Sequence, residues 1–180
     1  MDVEKIEEKV KEALKEGKAV ATGIGIFGAI FMRDGKILLR RRGEKGSIAG
    51  ADLSGKWELP GGTIELSDLG EDYQGAIKSA LKREIKEETG LEIDMDSIPI
   101  VVLLPAILKK SSIEKHNLID WAFVVPISAA FVRATSKYFE LEKNKEIAWI
   151  EFKGVKKIEI VGERMKYLVN IAINYYLISQ

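Results

Sequence analysis

Three glutamates crowd the end of a helix-forming run. Glu84, Glu87 and Glu88, in the segment Arg83-Glu84-Ile85-Lys86-Glu87-Glu88-Thr89-Gly90-Leu91, stand at i, i+3 and i+4 and share one face of a helical turn, where like charges repel. They lie in the last turn before Gly90, a natural C′ position, where the helix dipole already presents partial negative charge. At about 100° per residue the same face runs back through Leu81, Ala80 and Ile77, an apolar stripe that must pack against the rest of the protein. The run is therefore expected to be a core helix whose carboxylates point into a cleft. Lys82, Arg83 and Lys86 relieve part of the repulsion and would suit a solvated acidic face, but stripe and dipole both oppose that arrangement. Hard oxygen ligands aimed inward are explained more simply by bound divalent cations.

The chain of 180 residues is long enough for a sizeable core and is read as one domain over residues 18–180, preceded by a separate helix in residues 1–17. In that helix Val3, Ile6, Val10, Ala13 and Leu14 form an amphipathic stripe that stops at Gly17. Lys plus Arg equals Asp plus Glu at 28 each, which removes any global argument for nucleic-acid binding. There is no cysteine and one histidine, His116, so disulfides, thiolate sites and multi-histidine centres within one chain are excluded. What remains for a metal is oxygen chemistry, suited to magnesium, with manganese as the alternative. The charged start of the chain lacks a signal-peptide core, so a cytoplasmic location is expected. Met165 to Ile178, the most apolar segment, is shorter than the roughly 20 residues of a membrane span and reads as a packed C-terminal helix.

Elsewhere the pattern mixes strand and helix. Thr22 to Met32 reads as a buried strand, Asp34-Gly35 as a hairpin turn and Lys36 to Arg42 as the return strand. Gly43 to Lys56, rich in Gly and Ser without periodicity, reads as a mobile surface loop. Ile98 to Leu108 and Leu118 to Ile127 read as strands joined by a polar loop, Glu146 to Phe152 as a short strand and Gly162 to Ile178 as the last helix.

The segment 83–91, preceded by Leu59-Pro60-Gly61-Gly62-x-x-Glu65, resembles the box of the Nudix hydrolase family, Gly-x5-Glu-x7-Arg-Glu-U-x-Glu-Glu-x-Gly-U with U aliphatic. The resemblance implies an α/β (α+β) fold of Nudix type, an α/β/α sandwich with a mixed sheet, here with an extra N-terminal helix. The spacing departs from the pattern. Gly62 stands twenty-one positions before Arg83 where the pattern has fourteen, and Gly75 occupies the position of the further box glutamate. Aligning Gly70-Glu71 with the family's Gly-Glu makes Glu71 the displaced box glutamate, with Glu65, Asp68 and Asp72 as other nearby carboxylates.

By that resemblance the protein hydrolyses the diphosphate linkage of a nucleoside diphosphate joined to another moiety: a nucleotide sugar, an ADP-ribose-like compound or a nucleoside triphosphate. Magnesium would be held by Glu84, Glu87, Glu88 and Glu71 with the Gly61 carbonyl, and Arg83 would orient the box glutamates. The general base is either a box glutamate or Glu146, three residues before Trp149. Arg40 and Arg42 are candidates for meeting phosphate by their planar fork, and Trp57 for stacking on a base. A small nucleotide is thus the expected partner, with no membrane and no nucleic acid. Family members often pair, and the narrow stripe of the first helix needs a surface to cover it, so a homodimer is expected, with an intramolecular cover as the alternative. Gly75 motivates a different class, a Nudix-fold binding or regulatory module with impaired catalysis.

Overall fold

The structure, a computed structural model, describes residues 24–43, 47–48, 51–69, 73–95, 101–102, 109–110, 117–126 and 132–180. The expected N-terminal helix, Glu71, Asp72 and His116 lie outside them.

Two strands organise the sheet. β1 (Ile24–Met32) turns at Gly35 into β2 (Lys36–Arg41), and the pair is antiparallel at Phe31↔Ile37 and Met32↔Lys36. Beyond that point the strands splay, and the wedge between them is filled by residues 57–63. Trp57–Glu58 (β5) pairs with the end of β2, and Gly61–Thr63 (β6) with the start of β1. Pro60 lies between them and its carbonyl accepts from Gly28 N–H at 2.8 Å. The far side of β1 pairs in parallel with β10 (Asn117–Pro126), which is itself paired antiparallel with β8 (Val101–Val102) and β9 (Lys109–Lys110), and the far side of β2 pairs antiparallel with β12 (Ile147–Glu151). Among the described strands β1–β10 is the one parallel pair, so the sheet is mixed but largely antiparallel.

Period-two alternation sends the side chains of β1 and β2 to opposite faces. Ile26, Ile30 and Leu38 join one apolar cluster, against Ile77, Ala80, Leu81 and Ile85 of α1 (Tyr73–Thr89). Ala29, Phe31, Ile37 and Leu39 join the other, against Met165, Leu168, Val169, Ala172 and Tyr176 of the C-terminal helix Gly162–Ile178. The expected stripe on α1 is the buried one: Ile77, Leu81 and Ile85 are at most 3 % exposed, and burying each contributes about 1.5–3 kcal/mol. The helix stops as its sequence dictates. Thr89 turns its hydroxyl back to the Ile85 carbonyl at 2.6 Å, and Gly90 takes φ +71°, with its N–H donating to Lys86 O at 2.9 Å.

The expectations fail in three places, the first being Lys109–Lys110, which was expected in the polar loop and instead pairs as a strand with Asn117–Leu118. Within residues 43–56 there is a two-strand hairpin, β3 (Ser47–Ile48) with β4 (Ala51–Asp52), and Arg42 N–H donates to Lys56 O at 3.0 Å, so the segment continues the sheet ladder rather than leaving it as a plain loop. After α1, β7 (Leu91–Ile93) pairs antiparallel with β11 (Val132–Ala134), and α2 (Ser136–Lys143) follows; none of these was expected from the pattern. Among the described residues no helix is long and apolar enough to cross a membrane.

Candidate active site

The end of α1 rests on the wedge between β1 and β2, and the two glycines of residues 60–62 allow that approach. Gly61 has φ +153°, and a Cβ there would fall 2.1 Å from the Ile26 carbonyl oxygen. A Cβ on Gly62 would fall 2.2 Å from Glu84 Oε1, so the carboxylate occupies the space a side chain would take. Gly61 N–H donates to Glu88 Oε2 at 2.8 Å. Glu84 and Glu88 therefore lie against strand backbone, with side chains 12 % and 14 % exposed, whereas Glu87 points outward at 57 %. The triplet shares a helical face in sequence, but the helix packs closely enough to bury two of its members.

Two arginine networks hold this pair. Arg83 donates to both oxygens of Asp68, from Nε at 3.1 Å and Nη2 at 2.7 Å, and from Nη2 to Thr63 O at 2.9 Å. Its other tip, Nη1, reaches Glu84 Oε1 at 2.9 Å and lies 3.5 Å from Glu87 and 3.7 Å from Glu65. On the other side Arg40 Nη2 sits 2.6 Å from Glu58 Oε1 and 3.1 Å from Glu88 Oε1, while Arg42 Nε donates to Glu58 Oε2 at 2.8 Å. Arg41, of opposite parity, turns away to the Gly55 carbonyl at 2.9 Å.

Burial dominates the electrostatics of the glutamates. It pushes the Glu88 carboxyl up to about 8, against the opposing pull of Arg40 and the Gly61 N–H, and the charges of Glu84 and Glu58 add to the rise. Burial likewise raises Glu84, with Arg83 opposing it. Asp68 goes the other way: burial disfavours its charge, but the Arg83 hydrogen bonds and the Glu65 N–H hold its carboxyl below the ordinary value. Asp68 in turn raises the Arg83 guanidinium.

The sequence-derived candidates thus fall into groups. Glu84, Glu88, Gly61, Arg83, Arg40 and Arg42 come together, and Glu87 stands at the rim. Trp57 does not join them. It is partly buried against the cluster on the C-terminal-helix side, and its backbone bridges to Ile160. Glu146 is exposed just before β12, next to Ile147, which pairs with Arg40; its carbonyl accepts from Arg41 N–H at 2.6 Å. Glu58, buried at 1 %, was missed as a site residue. The sequence marks it only as an acid between the apolar Trp57 and Leu59; the arginines it faces on β2 come from the strand pairing. Asp68 was named only as a nearby carboxylate. It stands six residues after Gly62, which is the box spacing, so the seven extra residues all fall between Asp68 and Arg83.

The donor set suits a hard cation. Glu84 and Glu88 are buried carboxylates whose ionisation is disfavoured where they sit, and a divalent ion beside them would offset that cost. Among the described residues, however, no three acidic, histidine or cysteine side chains already converge as a metal cluster. Arginines provide the counter-charge instead.

Known proteins resemble this chain in part of its sequence and in its fold. Over 75 residues the chain is 31 % identical to a MutT-like protein of Streptomyces ambofaciens, covering 42 % of this chain and 38 % of that one. Over 69 residues it is 39 % identical to the CTP pyrophosphohydrolase of Escherichia coli (strain K12), covering 38 % of this chain and 42 % of that one. The matched stretches span about two fifths of the length of these curated relatives. The fold superposes on a NUDIX hydrolase from Nitrosomonas europaea with a TM-score of 0.55 at 17 % identity, covering 83 % of this chain and 86 % of that one. The NUDIX domain family model matches residues 22–159, and on that match this chain belongs to the NUDIX family, whose members typically depend on divalent metal.

Proposed function

We propose that the chain is a magnesium-dependent pyrophosphohydrolase, with manganese as an alternative ion, that cleaves the diphosphate linkage of a nucleoside diphosphate joined to another moiety. The observation that carries this reading is the pair of buried carboxylates, Glu84 and Glu88, laid on the Gly61-Gly62 backbone with an arginine beside each. A bound cation would supply charge neutralisation at the diphosphate oxygens and acidify an attacking water. Glu84 and Glu88, with Glu87 at the rim and the Gly61 carbonyl, would hold it. Asp68 and Arg83 keep Glu84 in place, and Asp68 takes the box-glutamate position here in preference to Glu71. Arg40 and Arg42 would meet the phosphates through guanidinium N–H groups not used by Glu58, which aligns the substrate. Glu146, exposed beside the paired end of β2, is the proposed general base.

A nucleoside triphosphate is one fitting class, supported by the pyrophosphohydrolase relative that acts on CTP by its name; nucleotide sugars and ADP-ribose-like compounds share the same diphosphate chemistry. The test is a panel of these three classes and dinucleotides, assayed for phosphate, pyrophosphate or mononucleotide release with and without magnesium. Release only with the cation is expected. A second reading, a nucleotide-binding module with impaired catalysis, is favoured by Gly75 eight positions before Arg83, where the box counted back from that arginine has glutamate, and by the lack of a converged acidic cluster among the described residues. Tight binding of a panel member without turnover would support it.

A further inference from the structure

A buried carboxylate on a strand needs a reason to stay charged. Glu58 is 1 % exposed, between the apolar Trp57 and Leu59, and taking such a group out of water is costly unless it is paired. Its two oxygens face two guanidinium groups, Arg40 Nη2 at 2.6 Å and Arg42 Nε at 2.8 Å. The same Arg40 nitrogen is 3.1 Å from Glu88, so one cationic tip is shared between two carboxylates and lies closer to Glu58. Arg40 Nε and Glu58 Oε1 are both buried with no hydrogen-bond partner among the described residues, so charge attraction and not a hydrogen bond joins Arg40 to Glu58. Counted as charges, Glu58, Arg40, Arg42 and Glu88 close at zero. Removing the Glu58 charge would leave Arg40 facing Glu88 without its nearer counter-charge.

We infer that Glu58 is a positioning residue that draws Arg40 off Glu88 and thereby sets how tightly the buried glutamate pair takes a divalent cation. This rests on the reading of Glu84 and Glu88 as the cation's carboxylates. The field at Glu88 becomes more positive without the Glu58 charge and more negative without the Arg40 charge. The two changes therefore act on cation affinity in opposite directions, which a merely structural role for either residue would not produce.

The experiment is a titration of the full chain with Mn²⁺ alone, followed by electron paramagnetic resonance. It uses wild type, Glu58→Gln, Arg40→Met and the double variant, with circular dichroism to establish folding. Glu58→Gln is expected to weaken Mn²⁺ binding about tenfold, Arg40→Met to tighten it, and the double variant to return near wild type. A folded Glu58→Gln with wild-type affinity, or an Arg40→Met that binds more weakly, overturns the inference while leaving the glutamate site standing. If Glu58→Gln does not fold, Arg40→Met and the double variant decide the matter alone. Wild type that binds no Mn²⁺ at millimolar concentration removes the underlying site, and the inference with it.

Discussion

Asp68 grips Arg83 in a two-pronged pair, Oδ1 to Nε at 3.1 Å and Oδ2 to Nη2 at 2.7 Å, from a short 3₁₀ turn at Leu66–Asp68. Arg83 then reaches Glu84, so the loop acid fixes the helix acid through a shared cation. Asp68→Asn is expected to cost about 2 kcal/mol of stability at pH 7, the scale of hydrogen bonds to a charged partner. Activity should fall about tenfold through a misplaced Glu84. The folded Asp68 carboxyl sits below its unfolded value, so its contribution is present above roughly pH 4 and is lost as pH falls through the folded value. Urea unfolding of both proteins at pH 7 and pH 3 checks this: the gap between them should narrow at the lower pH.

Glu84→Gln and Glu88→Gln should each lower turnover by about a hundredfold, near 3 kcal/mol of transition-state stabilisation. Stability without cation should move the other way. Burial raises the folded Glu88 carboxyl to about 8, so the wild type is most favoured below its unfolded value of about 4.3 and loses that contribution as pH rises toward 8. In chelator at pH 8, Glu88→Gln is expected to melt a few degrees above wild type, with the difference vanishing near pH 4. Thermal melts across that range decide it, and near-wild-type turnover in both variants would remove the glutamates from the site.

Two glycine substitutions should separate site from scaffold. Gly62→Ala puts a methyl group where Glu84 Oε1 lies, 2.2 Å away, so it should cost about a hundredfold in activity with a smaller loss of stability. Gly90→Ala forces a side chain into φ +71° and within 2.3 Å of Tyr138 N, and should destabilise by about 1–3 kcal/mol while sparing kcat. Paired urea melts and initial rates on both variants would show whether the effects divide this way.

The N-terminal segment supplies a prediction about assembly. If the stripe of Val3, Ile6, Val10 and Leu14 packs across a two-fold axis, the full chain scatters light as a dimer and a shortened chain starting at Lys18 as a monomer. A monomer in both cases, with unchanged activity, would make the segment an intramolecular cover.

What could be read in advance followed from how much physics each segment carried. The buried face of α1, its Gly90 stop, the Asp34-Gly35 turn and the final helix at Gly162–Ile178 were legible because burial, capping and turn geometry each leave a residue-level mark. Leu91–Ile93 and Val132–Ala134 are too short to show alternation, and they are defined by pairing with each other across some forty residues. Ser136–Lys143 fully buries no residue and lays only Tyr138 and Leu141 against the core, too short a stripe to mark it in the sequence. At the site, the glutamate pair was legible from repulsion at a helix end. Glu58 was not, because its meaning lies in the register Arg40↔Glu58, which only the folded sheet supplies.

The parallel register of β1 on β10 has a consequence for how the molecule comes to be folded. Ile24 meets Ile119 and Phe31 meets Pro126, so the middle strand of the sheet waits for a partner more than ninety residues further along the chain. Such distant pairing carries a large loop-closure cost and slows folding. During synthesis one edge of β1 lacks its neighbour until residues 119–126 have emerged, and that open edge is where a nascent chain would be most exposed to mispairing.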